Sequence, residues 1–169
     1  MSASLTKADV ARRIAETALL RGRFTLRSGR TSSYYLDKYL FSTQPDILRA
    51  LGELFAERIA GLGGEAGGGE AVTKLAGAEL GGIPLVSTAS MASGIPCVFI
   101  RNRKKEYGTA KQLEGVLEAA ATIAENGAAV VGIICTIDRQ EGARETIEGA
   151  GYGFEALFTT ADLGIEPEV

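Results

Sequence analysis

Residues 72–101 read VTKLAGAELGGIPLVSTASMASGIPCVFIR. The short apolar run at Lys74–Ala78 predicts a strand, and the glycines that follow predict a tight turn. A helix is expected from about Gly82 to Ala92, and a second apolar strand at Cys97–Arg101. Parallel neighbours need a long crossover connection, usually a helix, and a helix is what separates these two strands. The stretch therefore reads as a βαβ unit, and its strands are apolar enough to be covered on both faces.

The alternation continues towards the C-terminus. A helix is expected at Leu117–Asn126, a strand at Ala129–Ile137, a helix at Glu141–Gly149 and a last strand at Phe154–Phe158. Strands alternating with helices define an α/β class with a parallel core sheet. Such sheets bind ligands at the carboxyl ends of their strands. The loops after Gly77, Ile100 and Ile137 are accordingly the places to look for function.

Ahead of this core, a helix is expected from Thr6 to Leu20, with Thr6 as N-cap, Asp9 three residues on, and Gly22 as its end. Val10, Ile14, Ala18 and Leu19 mark its apolar face. Two extended stretches follow, Arg23–Leu26 and Tyr34–Leu40, on either side of the turn-rich SGRTSS. After Gln44-Pro45, the residues Ile47, Leu48, Leu51, Leu54, Phe55, Ile59 and Leu62 recur at helical spacing. The tract Gly61–Ala71 has no apolar period and reads as a loop. A chain of 169 residues suits one domain, with residues 1–44 forming an N-terminal unit and 45–169 the core.

Composition removes several function classes. The chain has 18 basic and 21 acidic side chains, a net charge of -3, which argues against a nucleic-acid-binding surface. It has no histidine, so the usual general base, the His-activated nucleophiles and most zinc sites are excluded. Cys97 and Cys135 lie in apolar runs and read as reduced core thiols of a cytoplasmic protein. No apolar run reaches membrane-spanning length, and the polar MSASLTKADV start is unlike a signal peptide.

Four motifs fall at the expected ligand positions. In AGAELGGIPL, Ala76–Leu85, a strand runs into glycines that open a helix, where N–H groups can meet a phosphate; a ligand-free tight turn fits the pattern equally. In RNRKKEYG, Arg101–Gly108, leading into TAKQLEG, basic side chains concentrate after a strand end, either as a solvated face or as a cationic lid over a polyphosphate. In FTLRSGRTSSYYLD, Phe24–Asp37, Arg27 and Arg30 flank a turn before Tyr34 and Tyr35. That arrangement is a plain surface hairpin or a roof over a flat anionic ring, with arginine forking onto a carboxylate. In TIDRQEG, Thr136–Gly142, Asp138 and Arg139 are strand-end contacts, or Asp138 caps a helix.

The order of these four motifs resembles orotate phosphoribosyltransferases, over residues from about 20 to 163. The resemblance implies a type I phosphoribosyltransferase fold, a parallel core sheet flanked by helices with a small N-terminal hood in residues 1–44. It implies transfer of the phosphoribosyl group from 5-phosphoribosyl diphosphate to orotate, giving orotidine 5′-phosphate and pyrophosphate in pyrimidine biosynthesis. Mg²⁺ is expected as cofactor, held mainly by the donor rather than by protein side chains. Such chemistry asks little proton transfer of the protein and rests on positioning and on cations near the leaving group.

Residue by residue, the resemblance implies that Lys105 is the catalytic lid lysine and that Arg101, Lys104 and Tyr107 accompany it at the diphosphate. Glu79, Leu80, Gly81 and Gly82 match the pyrophosphate-side turn. Arg27, Tyr35, Leu36 and Arg139 match the orotate site, with Arg27 standing where a lysine is usual. The lid is expected to reach the other subunit of a homodimer. Transfer to another base, or nucleotide binding without turnover, are the alternatives.

The sequence departs from the family pattern in three places. Tyr107 replaces the frequent lid histidine, and Asn102 stands at a position that is often lysine. At 116/117, LEGV runs directly into LEAAATIAENG, where the family carries a further strand and a loop with two acids and Thr-Thr-Gly-Gly that holds the ribose 5-phosphate. Either the polypeptide carries residues between Val116 and Leu117 beyond this sequence, or the deletion is genuine and donor binding is crippled. An intact mass of 17.7 kDa would select the second.

Overall fold

The computed structural model describes residues 5–25, 29, 31–62, 71–100 and 114–166, with side chains of the last segment described from 117. Helix α1, Lys7–Ala18, starts at the expected capping box: the Asp9 N–H donates to Thr6 Oγ1 at 3.2 Å, and the Thr6 N–H donates to Asp9 Oδ2 at 3.2 Å. Both orphan donors of the first turn are thereby satisfied. Val10, Ile14 and Ala18 are fully buried.

The helix stops earlier than expected. Leu19 is already extended at φ -85° and ψ 106°, and it opens strand β1, Leu19–Thr25, which pairs antiparallel with β2, Thr31–Leu36. Gly22 thus lies inside a strand rather than ending a helix. The pairing of Leu19 with Leu36 takes the backbone groups that another helical turn would have used. Strand β2 also ends short of the expected Leu40. The Asp37 carboxylate accepts the Tyr39 N–H at 2.9 Å and caps a short helix α2, Lys38–Phe41.

Helix α3, Pro45–Leu62, begins with proline in its first turn, where the missing N–H costs nothing. Its stripe of Ile47, Leu51, Phe55 and Ile59 is buried. Against it packs α4, Gly82–Ser93. A side chain at Gly52 would stand 2.8 Å from the Thr88 carbonyl oxygen, so the absence of one lets the two helices close up. The Thr88 hydroxyl donates to the Leu48 carbonyl at 2.8 Å across that contact.

The β-structure of the core consists of two parallel ladders. Strand β3, Leu75–Ala78, pairs with β4, Cys97–Ile100, and β5, Ile133–Asp138, pairs with β6, Phe154–Thr159. Among the described residues no hydrogen-bonded strand joins the two ladders. Helix α5, Glu114–Glu125, lies between them in sequence and runs unbroken across Val116 and Leu117, beginning before the expected Leu117. Helix α6, Ala143–Gly149, and a 3₁₀ turn, Ala161–Leu163, complete the described chain. A single hydrophobic core takes in α1, α3, α4, β3 and β6, with Ile134 and Ile137 packed on it. The class is α/β, with parallel sheets flanked by helices. Among the described residues no helix is long and apolar enough to cross a membrane.

Candidate active site

Both ladders end in turns that present polar groups, and they do so by different means. At the end of β3, the Glu79 N–H donates to the Ile100 carbonyl at 2.9 Å, which ties the turn to β4. Leu80 is exposed, and Gly81 is the N-cap of α4 with no side-chain capping bond. Gly77 is required for this geometry. A Cβ there would stand 2.5 Å from Val86 Cγ1 and 2.6 Å from the Gly82 carbonyl oxygen. Close strand–helix approach therefore sets the start of α4 at the strand end; the Ile83 N–H is taken by the Leu80 carbonyl at 3.2 Å and Pro84 has none, so the first-turn donors left for an anion are those of Gly81 and Gly82.

The β5 ladder ends in side chains. Asp138 is buried, and its carboxylate accepts the Gln140 N–H at 2.8 Å. Gln140 adopts φ 58°, a left-handed conformation that this short bond helps to hold. Thr160, at the end of β6, donates its N–H to the Asp138 carbonyl and its hydroxyl to Gln140 Oε1 at 3.3 Å. This network fixes the backbone on both sides of Arg139.

Arg139 pairs with Glu141 at 3.1 Å through one terminal nitrogen, and its guanidinium carbon lies 5.5 Å from the centre of the Tyr34 ring. Its Nε is buried and has no hydrogen-bond partner. An unmet donor at a buried atom costs free energy unless something accepts from it. It marks a place where an incoming carboxylate would be gained.

Tyr34 is the buried tyrosine of its strand, while Tyr35 points the other way, is exposed, and lies tilted against Phe24 with ring centres 5.7 Å apart. The alternation of a strand separates the two tyrosines onto opposite faces. Of the expected ring-covering pair, Tyr35 and Leu36, neither is the residue at Arg139; Tyr34 is. The signal for it lay in the period of two along TSSYYL, where Ser32 and Tyr34 are the buried positions.

Lys38 escaped the sequence reading altogether. Its stem lies over the glycine turn, with Cε 3.0 Å and Nζ 3.2 Å from where a Gly81 Cβ would stand. Nothing in the sequence pattern marks it, since a lone lysine after a capping aspartate is ordinary. Tyr34 and Lys38 are separated by only four residue steps, at most roughly 14 Å of extended chain. One short hood segment therefore touches Arg139 at one end and Gly81 at the other, bringing the two strand-end turns to a common region. The expected site residues Arg27, Arg101, Lys104, Lys105 and Tyr107, with Arg30 and Asn102, lie outside the described residues. No cluster of three or more acidic or cysteine side chains able to hold a metal occurs among the described residues.

The two core thiols are free. Burial, reinforced by the Asp138 carboxylate, pushes the Cys135 thiol up to about 12. A thiol held that far from ionisation is a poor nucleophile.

A hood hairpin over parallel strands, with a glycine turn and an arginine at the strand ends, describes the phosphoribosyltransferase class. The fold is shared with Mycobacterium tuberculosis orotate phosphoribosyltransferase in complex with inorganic phosphate, at TM-score 0.77 and 25% identity, over 94% of this chain and 98% of that one. It is shared also with Aeropyrum pernix orotate phosphoribosyltransferase at TM-score 0.75 and 23% identity, over 94% and 97%.

Sequence relatives narrow the class. The chain is 38% identical to the orotate phosphoribosyltransferase of Haloquadratum walsbyi over 89% of this chain and 88% of the relative. It is 40% identical to that of Natronomonas pharaonis, over 84% and 87%. No protein-family model matches the chain. The chain belongs to the orotate phosphoribosyltransferase family, pentosyltransferases of pyrimidine biosynthesis.

The alignments also carry a gap. That with the Pyrococcus abyssi orotate phosphoribosyltransferase runs over 178 positions yet takes in only 93% of these 169 residues, so about 20 of its positions have no counterpart here. The Natronomonas alignment, 162 positions against 84% of the chain, shows the same surplus. A strand with its following loop is about that long.

Proposed function

We propose that this chain transfers the phosphoribosyl group of 5-phosphoribosyl diphosphate to orotate, forming orotidine 5′-phosphate and pyrophosphate. The observation that carries the reading is the half-buried Arg139, stacked on Tyr34 with a buried, unmet Nε at a strand end. A planar guanidinium with a free donor and an aromatic floor suits the carboxylate of a flat anionic ring. The glycine turn at Glu79–Gly82 offers backbone N–H groups to the diphosphate, and Lys105, with Arg101, Lys104 and Tyr107, closes over it. Arg27 and Leu36 complete the orotate side, Leu36 lying on the same strand face as Tyr34.

Mg²⁺ enters with the donor, whose phosphate oxygens supply hard ligands, while the turn offers mainly N–H donors that suit the oxygens the metal leaves free. The bound metal would withdraw charge from the departing pyrophosphate. The protein is cytoplasmic and acts as a homodimer, the lid of each subunit serving its partner. Val98 and Phe99, exposed on β4, supply apolar surface for a second copy.

The test is the fall in orotate absorbance on adding donor and Mg²⁺ to the 169-residue chain. Absence of turnover together with tight nucleotide binding in calorimetry would replace this reading with a second one, nucleotide binding without turnover. The surplus of aligned positions in the relatives, with the two ladders unjoined among the described residues, favours that alternative, because the resemblance puts the loop for the ribose 5-phosphate at 116/117. Sedimentation at increasing concentration tests the dimer, which a persistent monomer would overturn.

A further inference from the structure

We propose that Lys38 is a donor-binding residue, delivering from the hood the cation that the glycine turn cannot carry itself. The inference rests on the diphosphate reading of the Glu79–Gly82 turn. Gly81 has no side chain, and the space where one would begin is covered by the Lys38 stem, with Cδ at 3.1 Å and Nζ at 3.2 Å. The ammonium also lies 5.4 Å from the centre of the Tyr39 ring, which steadies it beside the turn. Lys38 is in the first turn of α2, and Asp37 caps that turn by accepting from the Tyr39 N–H. The backbone that aims the lysine is thus held by its own local bond.

The arrangement places a positive charge over the N-terminus of α4 without occupying the N–H groups there. A pyrophosphate at the turn would meet those N–H groups from the core side and an ammonium from the hood side. Partial charges of the helix start and a full charge on Lys38 act in the same direction on an anion. Because Tyr34 of the same segment contacts Arg139, the hood spans the orotate half and the pyrophosphate half of the site with one short piece of chain. Lys38 is a binding residue for the leaving group.

The full chain is titrated calorimetrically with pyrophosphate in excess Mg²⁺, and separately with orotate, as wild type, K38M and K38R. K38M keeps most of the stem that covers Gly81 and removes the charge. Its pyrophosphate affinity is expected to fall about tenfold, the size of one exposed charge-assisted contact. K38R is expected to retain most of the affinity, with orotate binding and the thermal midpoint unchanged in both variants. Wild-type pyrophosphate affinity in K38M overturns the role of Lys38 and leaves the transferase reading standing. A joint loss of orotate binding and thermal stability in K38M makes the lysine a packing residue and overturns it too. A wild-type chain that binds orotate but no pyrophosphate overturns both the role and the reading beneath it.

Discussion

The two parallel ladders of this molecule solve the same problem in opposite ways. The β3–β4 ladder is four residues long in each strand, and its outer strand leaves Val98 and Phe99 exposed. Its strand end offers backbone groups, and the close strand–helix packing there requires that a side chain be absent at Gly77. The β5–β6 ladder is six residues long in each strand, and Phe154, Leu157 and Phe158 of β6 are buried. It presents a surface made of side chains, with Asp138, Gln140 and Thr160 holding the backbone on either side of Arg139. The difference teaches where each half is vulnerable. The first fails when an atom is added, and the second when a polar group or a buried ring is removed.

The largest test of that contrast is in the buried strand. Phe158→Ala empties a core position that is 1% exposed and should cost about 3–5 kcal/mol in urea unfolding; a loss under about 1 kcal/mol would show that β6 is not the anchor described. At the site, Arg139→Gln should lower orotate affinity about tenfold to a hundredfold, as expected for losing a charged hydrogen-bonding partner. Calorimetry reads it, and near wild-type affinity would separate Arg139 from the orotate site.

In the backbone-built half, Gly77→Ala forces a Cβ to within 2.6 Å of the Gly82 carbonyl oxygen. Overpacking of this kind should destabilise by about 1–3 kcal/mol. A neutral result in thermal melts would mean that the turn has slack.

Two smaller effects separate the ladders by chemistry. Cys135 on β5 should react with iodoacetamide far more slowly at pH 8 than a free thiol, because its thiolate is suppressed by burial. Peptide mapping after alkylation checks this, and rapid labelling of Cys135 in the folded chain would contradict the packing. At the end of β6, the Thr159 N–H donates to Asp162 at 2.7 Å and holds that carboxyl below its ordinary 3.8. A carboxyl depressed by folding stabilises the protein above its unfolded value and ceases to do so as pH falls through the folded one. Asp162→Ala should therefore reduce stability at neutral pH slightly and flatten its decline below about pH 4. An unchanged acid limb would remove Asp162 from the account.

Much of this was legible in the order of residues. The capping box at Thr6 and Asp9, the stripe from Ile47 to Ile59, and the βαβ unit around Gly81 follow from local bonding and from which face must be buried. The strand-end positions of Glu79 and Arg139 followed from the α/β pattern. The errors fell where tertiary pairing overrode local preference and where a local cap went unread. Leu19 and Leu20 continue a helical stripe, yet they join a hairpin because Leu36 and Tyr35 lie opposite them. Residues 37–40 read as strand, yet they turn into α2 because Asp37 caps it.

The sequence by itself determined the α/β class, the absence of histidine and the glycine turn, since each rests on residue type and near-neighbour spacing. Only the tertiary structure decided that Tyr34 rather than Tyr35 meets Arg139, that Lys38 lies over Gly81, and that among the described residues no strand joins the two ladders. Those outcomes depend on which face of a twisted hairpin turns inward and on which strand edges find partners. Such relations hold between residues distant along the chain, and packing sets them.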